Sequence, residues 1–182
     1  MKKYLVIYYS KTGNSEFLAK KLSLAFECDL KRIVPKINSL FLLYLLSLLK
    51  ISIPINLTVK EMEEYDELII FGPIWGGLLI SPLRSILKKG VSASEKIHFV
   101  LSCETSDEDK DSKYGYAQVL NEAKKIGGRS VKTTAAFSTS LVRSKKESSS
   151  PNLSKKVKIT EENFKGKIGE RLEEFVARIK LT

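Results

Sequence analysis

The stretch Tyr4-Leu5-Val6-Ile7-Tyr8-Tyr9-Ser10-Lys11-Thr12-Gly13-Asn14-Ser15 decides the fold. Its first six residues form an apolar run suited to a buried strand. From Glu16 to Phe26 the apolar residues fall at Phe17, Leu18, Leu22, Ala25 and Phe26, a helical spacing with lysines on the opposite side. A strand therefore delivers a hydroxyl-rich turn to a helix N-terminus. Unpaired N–H groups and the positive end of the helix dipole meet there, which suits a phosphate. Ser10, Thr12 and Ser15 supply hydroxyls, Gly13 permits a positive φ or a close backbone approach, and Asn14 tolerates unusual turn geometry.

The turn is not a Walker loop, because no Gly-Lys-Ser/Thr follows four spacer residues, and it lacks the three spaced glycines of the dinucleotide fingerprint. A second apolar run leaves through Phe71-Gly72-Pro73-Ile74-Trp75-Gly76-Gly77, and residues 78–82 lead on to an amphipathic helical pattern. An exposed Trp between a rigid Pro and two Gly residues offers a flat stacking surface beside backbone amides that can reach a heterocycle. A third run ends at Leu101-Ser102-Cys103-Glu104-Thr105 and continues into Ser106-Asp107-Glu108-Asp109-Lys110-Asp111.

The first of these loops resembles the phosphate loop of flavodoxin-like proteins, which hold the terminal phosphate of FMN with Ser/Thr-x-Thr-Gly-Asn-Ser/Thr after the first strand. The second is similar to their Pro-Ile/Val-Trp-Trp/Ala-Gly loop, which lines the isoalloxazine ring and runs into Ser/Pro-Pro-x-Arg-x-Phe/Ile-Leu. Here that continuation reads Ser81-Pro82-Leu83-Arg84-Ser85-Ile86-Leu87, with Gly76 in place of a frequent second aromatic. By position the third loop meets the flavin edge, although it departs from the glycine-rich form common in the family. The resemblance implies an FMN-binding electron-transfer protein. It assigns the cofactor to Ser10, Lys11, Thr12, Gly13, Asn14 and Ser15, to Pro73, Ile74, Trp75, Gly76 and Gly77, and to Ser102, Cys103 and Glu104. NAD(P)H-dependent quinone or FMN reductases share the fold, so an enzyme is the alternative. No nicotinamide motif is visible in the sequence.

Strand-like runs at 4–9, 30–34, 67–72, 97–102 and 131–137 alternate with helical patterns at 16–26, 82–89, 114–126 and 161–179. Such alternation predicts an α/β fold with a parallel sheet covered by helices on both faces, and five strands in the order 2-1-3-4-5 is the flavodoxin-like arrangement. Its ligand sits outside the carboxyl ends of strands one and three, where the order reverses. The topology also brings Glu104, Asp107, Glu108, Asp109 and Asp111 close to the ring. Negative charge there lowers a flavin potential; the opposing reading is a solvated loop that faces away.

With 182 residues, 43% hydrophobic and 29% charged, the chain fits one domain spanning 1–182. The apolar run after Met1-Lys2-Lys3 is too short for a signal peptide, which predicts a cytoplasmic protein. Cys28 and Cys103 lie far apart and read as buried thiols; His98, the single histidine, reads as structural. No metal-ligand spacing and no catalytic residue emerges. Half of the net charge of +10 sits in a basic Ser-rich loop at about 143–158, where Arg143, Lys145, Lys146, Lys155, Lys156 and Lys158 face Glu147 alone. Such a field fits an acidic redox partner protein. Nucleic acid is disfavoured because the tract lacks interleaved aromatics.

The segment 37–57 is apolar around the whole helix, with Lys50 its one charge. Three readings apply to the helix at 39–49. It is a core helix on the sheet, or a contact for a second subunit or partner, or, less favoured, a contact with a membrane surface.

Overall fold

The computed structural model describes residues 2–37, 39–142 and 157–181. Five strands, β1 (Tyr4–Tyr8), β2 (Asp29–Arg32), β3 (Glu67–Pro73), β4 (Ile97–Cys103) and β5 (Val131–Ser138), form one sheet of order β2-β1-β3-β4-β5. Every pairing is parallel. The helices are α1 (Asn14–Phe26), α2 (Leu40–Leu48), α3 (Val59–Met62), α4 (Ser81–Ala93), α5 (Ala117–Gly127) and α6 (Lys167–Lys180). The expected fold class is the observed one. The basic loop falls largely on 143–156, outside the described residues.

Successive side chains of a strand point to opposite faces, and the central strands are apolar on both. Leu5, Ile7, Leu68, Ile70, Phe99 and Leu101 pack with α2, α3, α4 and α5. Val6, Tyr8, Ile69, Phe71 and Val100 pack on the other side with α1 and α6. The last helix shows why it folds as one: Ile168, Leu172, Phe175, Val176 and Ile179 recur at helical spacing and are all buried. It begins at 167 rather than 161 because Gly166 takes φ 102°, outside the helical region.

Helix α2 departs from a core helix. Leu43 and Ser47 are its buried residues, and most of its other side chains are exposed. Its inner face is pinned to α4. The Ser47 hydroxyl donates to the Leu43 carbonyl (2.6 Å) and accepts the Ser81 N–H (2.8 Å), a helix-start donor with no intrahelical partner. Ser85 likewise accepts the Ile53 N–H (2.7 Å). Among the described residues no helix is long and apolar enough to cross a membrane.

At the amino-terminal end of the sheet, His98 is fully buried and hydrogen-bonded through Nε2 to Glu67 at 2.9 Å. Burial raises the cost of a charged Glu67, but His98 and Lys2 outweigh it and hold the carboxyl below its ordinary range. An ionised carboxylate only accepts, so the imidazole donates. Nδ1 has no partner, and a proton placed there would be buried without an acceptor. Burial accordingly lowers the His98 pKa below 6.5, against the raising effect of Glu67. The unfolded chain then takes up the proton first. The stabilising contribution of neutral His98 is complete above pH 6.5 and is lost as the pH falls through the folded value. The single imidazole should therefore titrate below 6.5 by NMR, and urea stability should decline on acidification from that pH. A midpoint at or above it would contradict this account.

Candidate functional site

All five strands point their carboxyl ends at one edge of the sheet, and three of the loops leaving that edge surround a cleft of about 380 Å³. It is lined by Thr12 and Asn14 from the first loop, Pro73, Ile74, Trp75 and Gly76 from the second, and Ser102, Cys103, Glu104 and Thr105 from the third. Tyr114 and Thr139 complete it. Nine of the fourteen residues expected from sequence thus share one cleft. Ser10, Lys11, Gly13, Ser15 and Gly77 are not part of its lining.

The first loop is shaped by its own polar groups. Ser10 is buried and its Oγ accepts the Gly13 N–H (3.1 Å), while Gly13 takes φ 99° as the residue before α1. Because Gly13 has no side chain, α1 has no side-chain cap, and its first-turn N–H groups are left for another acceptor. Asn14 turns outward to clasp residues beyond β5, donating to the Val157 carbonyl (2.9 Å) and accepting the Ile159 N–H (3.0 Å). Ser15 is buried behind the loop, its hydroxyl 2.7 Å from that of Ser102. Lys11 and Thr12 are exposed. The Arg32 guanidinium stands 3.5 Å from the Ser10 carbonyl, bringing a cation to the loop that its position at the end of β2 did not announce.

In the second loop, Trp75-Gly76-Gly77-Leu78 is a tight turn closed by the Leu78 N–H on the Trp75 carbonyl (3.0 Å). Both central glycines have positive φ, 55° and 73°, the combination required by a type I′ turn. Trp75 is half-buried rather than exposed, its ring edge-on to Tyr9 with centroids 6.1 Å apart. The Ile74 N–H donates to the Ser102 carbonyl (3.2 Å), joining the second loop to the third.

The third loop keeps its thiol inert. Cys103 is buried, and burial pushes its pKa up to about 12, so it is protonated at neutral pH and a poor nucleophile. The acidic residues beyond it divide. Glu104 lines the cleft. Asp107 instead pairs with Arg171 of α6 and accepts the Tyr116 hydroxyl (2.8 Å); the Arg171 hydrogen bonds hold its pKa below the ordinary range. Of the five carboxylates expected near the ring, Glu104 alone belongs to the cleft wall, and Asp107 is neutralised by Arg171.

Sequence reasoning missed Thr105, Tyr114 and Thr139. Thr139 is 2% exposed, and its Oγ1 has no hydrogen-bond partner although it borders the cleft. Its signal was slight: the first residue past a strand that ends at the ligand edge. Among the described residues no group of acidic, histidine and cysteine side chains is arranged to hold a metal ion.

No protein-family model and no curated protein matches the chain. Solved structures do. A flavoprotein in complex with FMN from Lactobacillus acidophilus is 16% identical with a TM-score of 0.58, over 75% of this chain and 93% of its own. A flavodoxin from Streptococcus pneumoniae is 14% identical (TM-score 0.53; 96% and 94% covered), and oxidised flavodoxin 2 from Bacillus cereus is 13% identical (TM-score 0.53; 96% and 95% covered).

The turn makes a prediction about the two glycines. A Cβ at Gly77 would lie 2.5 Å from Gln118 Nε2 and 2.6 Å from the Lys113 carbonyl, whereas at Gly76 its nearest neighbour is the Tyr44 hydroxyl at 3.7 Å. Gly77→Ala should cost about 2–3 kcal/mol in urea unfolding and Gly76→Ala about 1 kcal/mol, the latter from positive φ alone. Equal losses would remove the steric distinction. With the strand order β2-β1-β3-β4-β5 and these structural matches, the chain has the flavodoxin-like fold.

Proposed function

We propose that the cleft holds FMN and that the protein transfers electrons through it. The observation that carries this reading is the convergence of three separate loops on one cleft at the point where the strand order reverses. At one side stands an uncapped helix start and at another a half-buried indole. Its volume is in the range of small-molecule sites.

The residues fit that cofactor. The N–H groups of the first turn of α1, with the Thr12 hydroxyl and the Arg32 charge, suit a phosphate dianion. Trp75 supplies an aromatic wall, and the backbone of 73–76 and 102–105 supplies donors and acceptors for a polar ring edge. Thr139 Oγ1, buried and unpaired, is a donor that a ligand in the cleft would satisfy. Bound flavin supplies the redox chemistry, whereas the chain binds it, orients it and limits water at one side. The buried, protonated Cys103 takes no covalent part. The basic run at 143–158 supports an acidic redox partner.

Two measurements test the assignment. Thr12→Ala should weaken FMN and leave riboflavin nearly unchanged, since the hydroxyl serves the phosphate; Trp75→Ala should weaken both by about 1–3 kcal/mol. Equal losses from Thr12→Ala for the two ligands would sink the phosphate assignment. Thr139→Val separates cofactor binding from folding. It removes a hydroxyl that has no partner in the free protein, so apo stability should hold or rise, while FMN affinity should fall by about 1 kcal/mol. Lower apo stability with unchanged FMN affinity would show that the hydroxyl serves the fold.

A further inference from the structure

Helix α2 is fixed to the protein by one side only. Ser39 caps its N-terminus, Ser47 holds its inner face to the start of α4, and the Ile51 N–H closes its C-terminus on the Leu46 carbonyl (2.9 Å). The remaining surface is hydrocarbon and aromatic ring: Leu40, Phe41, Tyr44, Leu45, Leu48 and Leu49 are exposed, Phe41 to 77% and Leu49 to 58%. Isolated exposed leucines are ordinary, but this many on consecutive turns make a continuous apolar patch of the size that marks an interaction surface.

The charges that flank α2 in the chain are cationic. No carboxylate occurs between residues 33 and 60, while Lys36 and Lys50, both exposed, border the helix in the chain. Lys50 also lies 3.6 Å from Glu122 across the surface. It occupies the position after the helix C-cap with φ 58°, a left-handed conformation that glycine adopts more readily. A cation thus stands at the negative end of the helix dipole and at the edge of the patch.

We propose that α2 seats the protein on an anionic lipid bilayer. Its leucines and Phe41 enter the boundary between headgroups and acyl chains, Tyr44 sits at headgroup level, and Lys36 and Lys50 meet lipid phosphates. A helix of nine residues, about 14 Å long, can lie in that boundary but cannot cross it. A second copy is a poorer occupant, because pairing two such patches brings the same lysines together on chains of net charge +10. The surface adjoins the cleft: the Tyr44 hydroxyl lies 3.7 Å from where a Gly76 side chain would begin. Docking therefore sets the second loop of the cleft beside the membrane. The proposal stands on this surface alone and does not require FMN.

The test is flotation of the full chain with vesicles of phosphatidylcholine alone and of phosphatidylcholine with an equal amount of phosphatidylglycerol, with far-UV circular dichroism and sedimentation on the same samples. The intact protein should float with the anionic vesicles, less at high salt, and weakly with the neutral ones. Phe41→Ser with Leu45→Ser should lower partitioning on the order of tenfold or more with the melting curve retained, since both side chains are exposed. Lys50→Gly relieves the left-handed strain and removes the charge. It should fold at least as stably and lose on the order of fivefold in binding to anionic vesicles. No flotation with either vesicle overturns the proposal, as does equal binding to both. A concentration-dependent dimer abolished by the Phe41/Leu45 variant, without flotation, assigns the patch to a second copy instead.

Discussion

Parallel strands leave a sheet at one edge, and in this order the connections on either side of β1 and β3 run away from each other. The crossover through α1 carries the chain outward to β2, whereas those through α4 and α5 carry it outward to β4 and β5. Among the described residues no connection covers the gap between the ends of β1 and β3. The cleft is a consequence of that constraint. Its walls are held together by one residue: Ser102 accepts the Ile74 N–H through its carbonyl and bonds Ser15 through its hydroxyl. Three loops that are distant in sequence are thereby joined at the last residues of β4. The hydroxyl pair is buried, so losing one partner leaves the other without compensation.

Much of this was legible in the sequence because the signals were local. An apolar run that stops at a Ser/Gly turn and resumes with helical spacing marks β1 and α1 without reference to the rest of the chain. The same holds for Pro73 to Gly77 and for the end of β4; alternation with helices implied the parallel sheet, while the strand order came from the resemblance. The features that escaped depend on partners far away. Asp107 looked like part of an acidic loop over the cleft until Arg171, 64 residues later, took it away. Arg32 ends β2 and Thr139 follows β5, positions whose neighbours in sequence do little to mark them. Helix α2 was expected, but not which side of it is buried, because a segment apolar on every side has no period to mark one face. Only Ser47, the polar residue in its midst, marks the inner side, and its role becomes evident once the start of α4 lies beside it.

Lys50 raises a related point about what a local rule can miss. Its left-handed conformation is one that Gly or Asn fills at low cost, and Lys is an expensive choice there. Strain of this kind persists where something else depends on the side chain. The charge at the end of α2 and the proximity of Glu122 are the gains on offer, and an exposed ion pair contributes little to stability.

The unpaired buried polar atoms sharpen the contrast between the two ends of the sheet. His98 Nδ1 lies near the start of β4 among residues sealed from solvent, where Glu67 already satisfies the other ring nitrogen. Its missing partner is a cost offset by a tightly buried pair, and it keeps the imidazole neutral. Thr139, whose Oγ1 is buried, lies just past the end of β5 and lines an open cleft. A buried polar atom without a partner in the first setting is part of a finished core. In the second the residue lines the cleft, where a ligand is the partner still available to its hydroxyl.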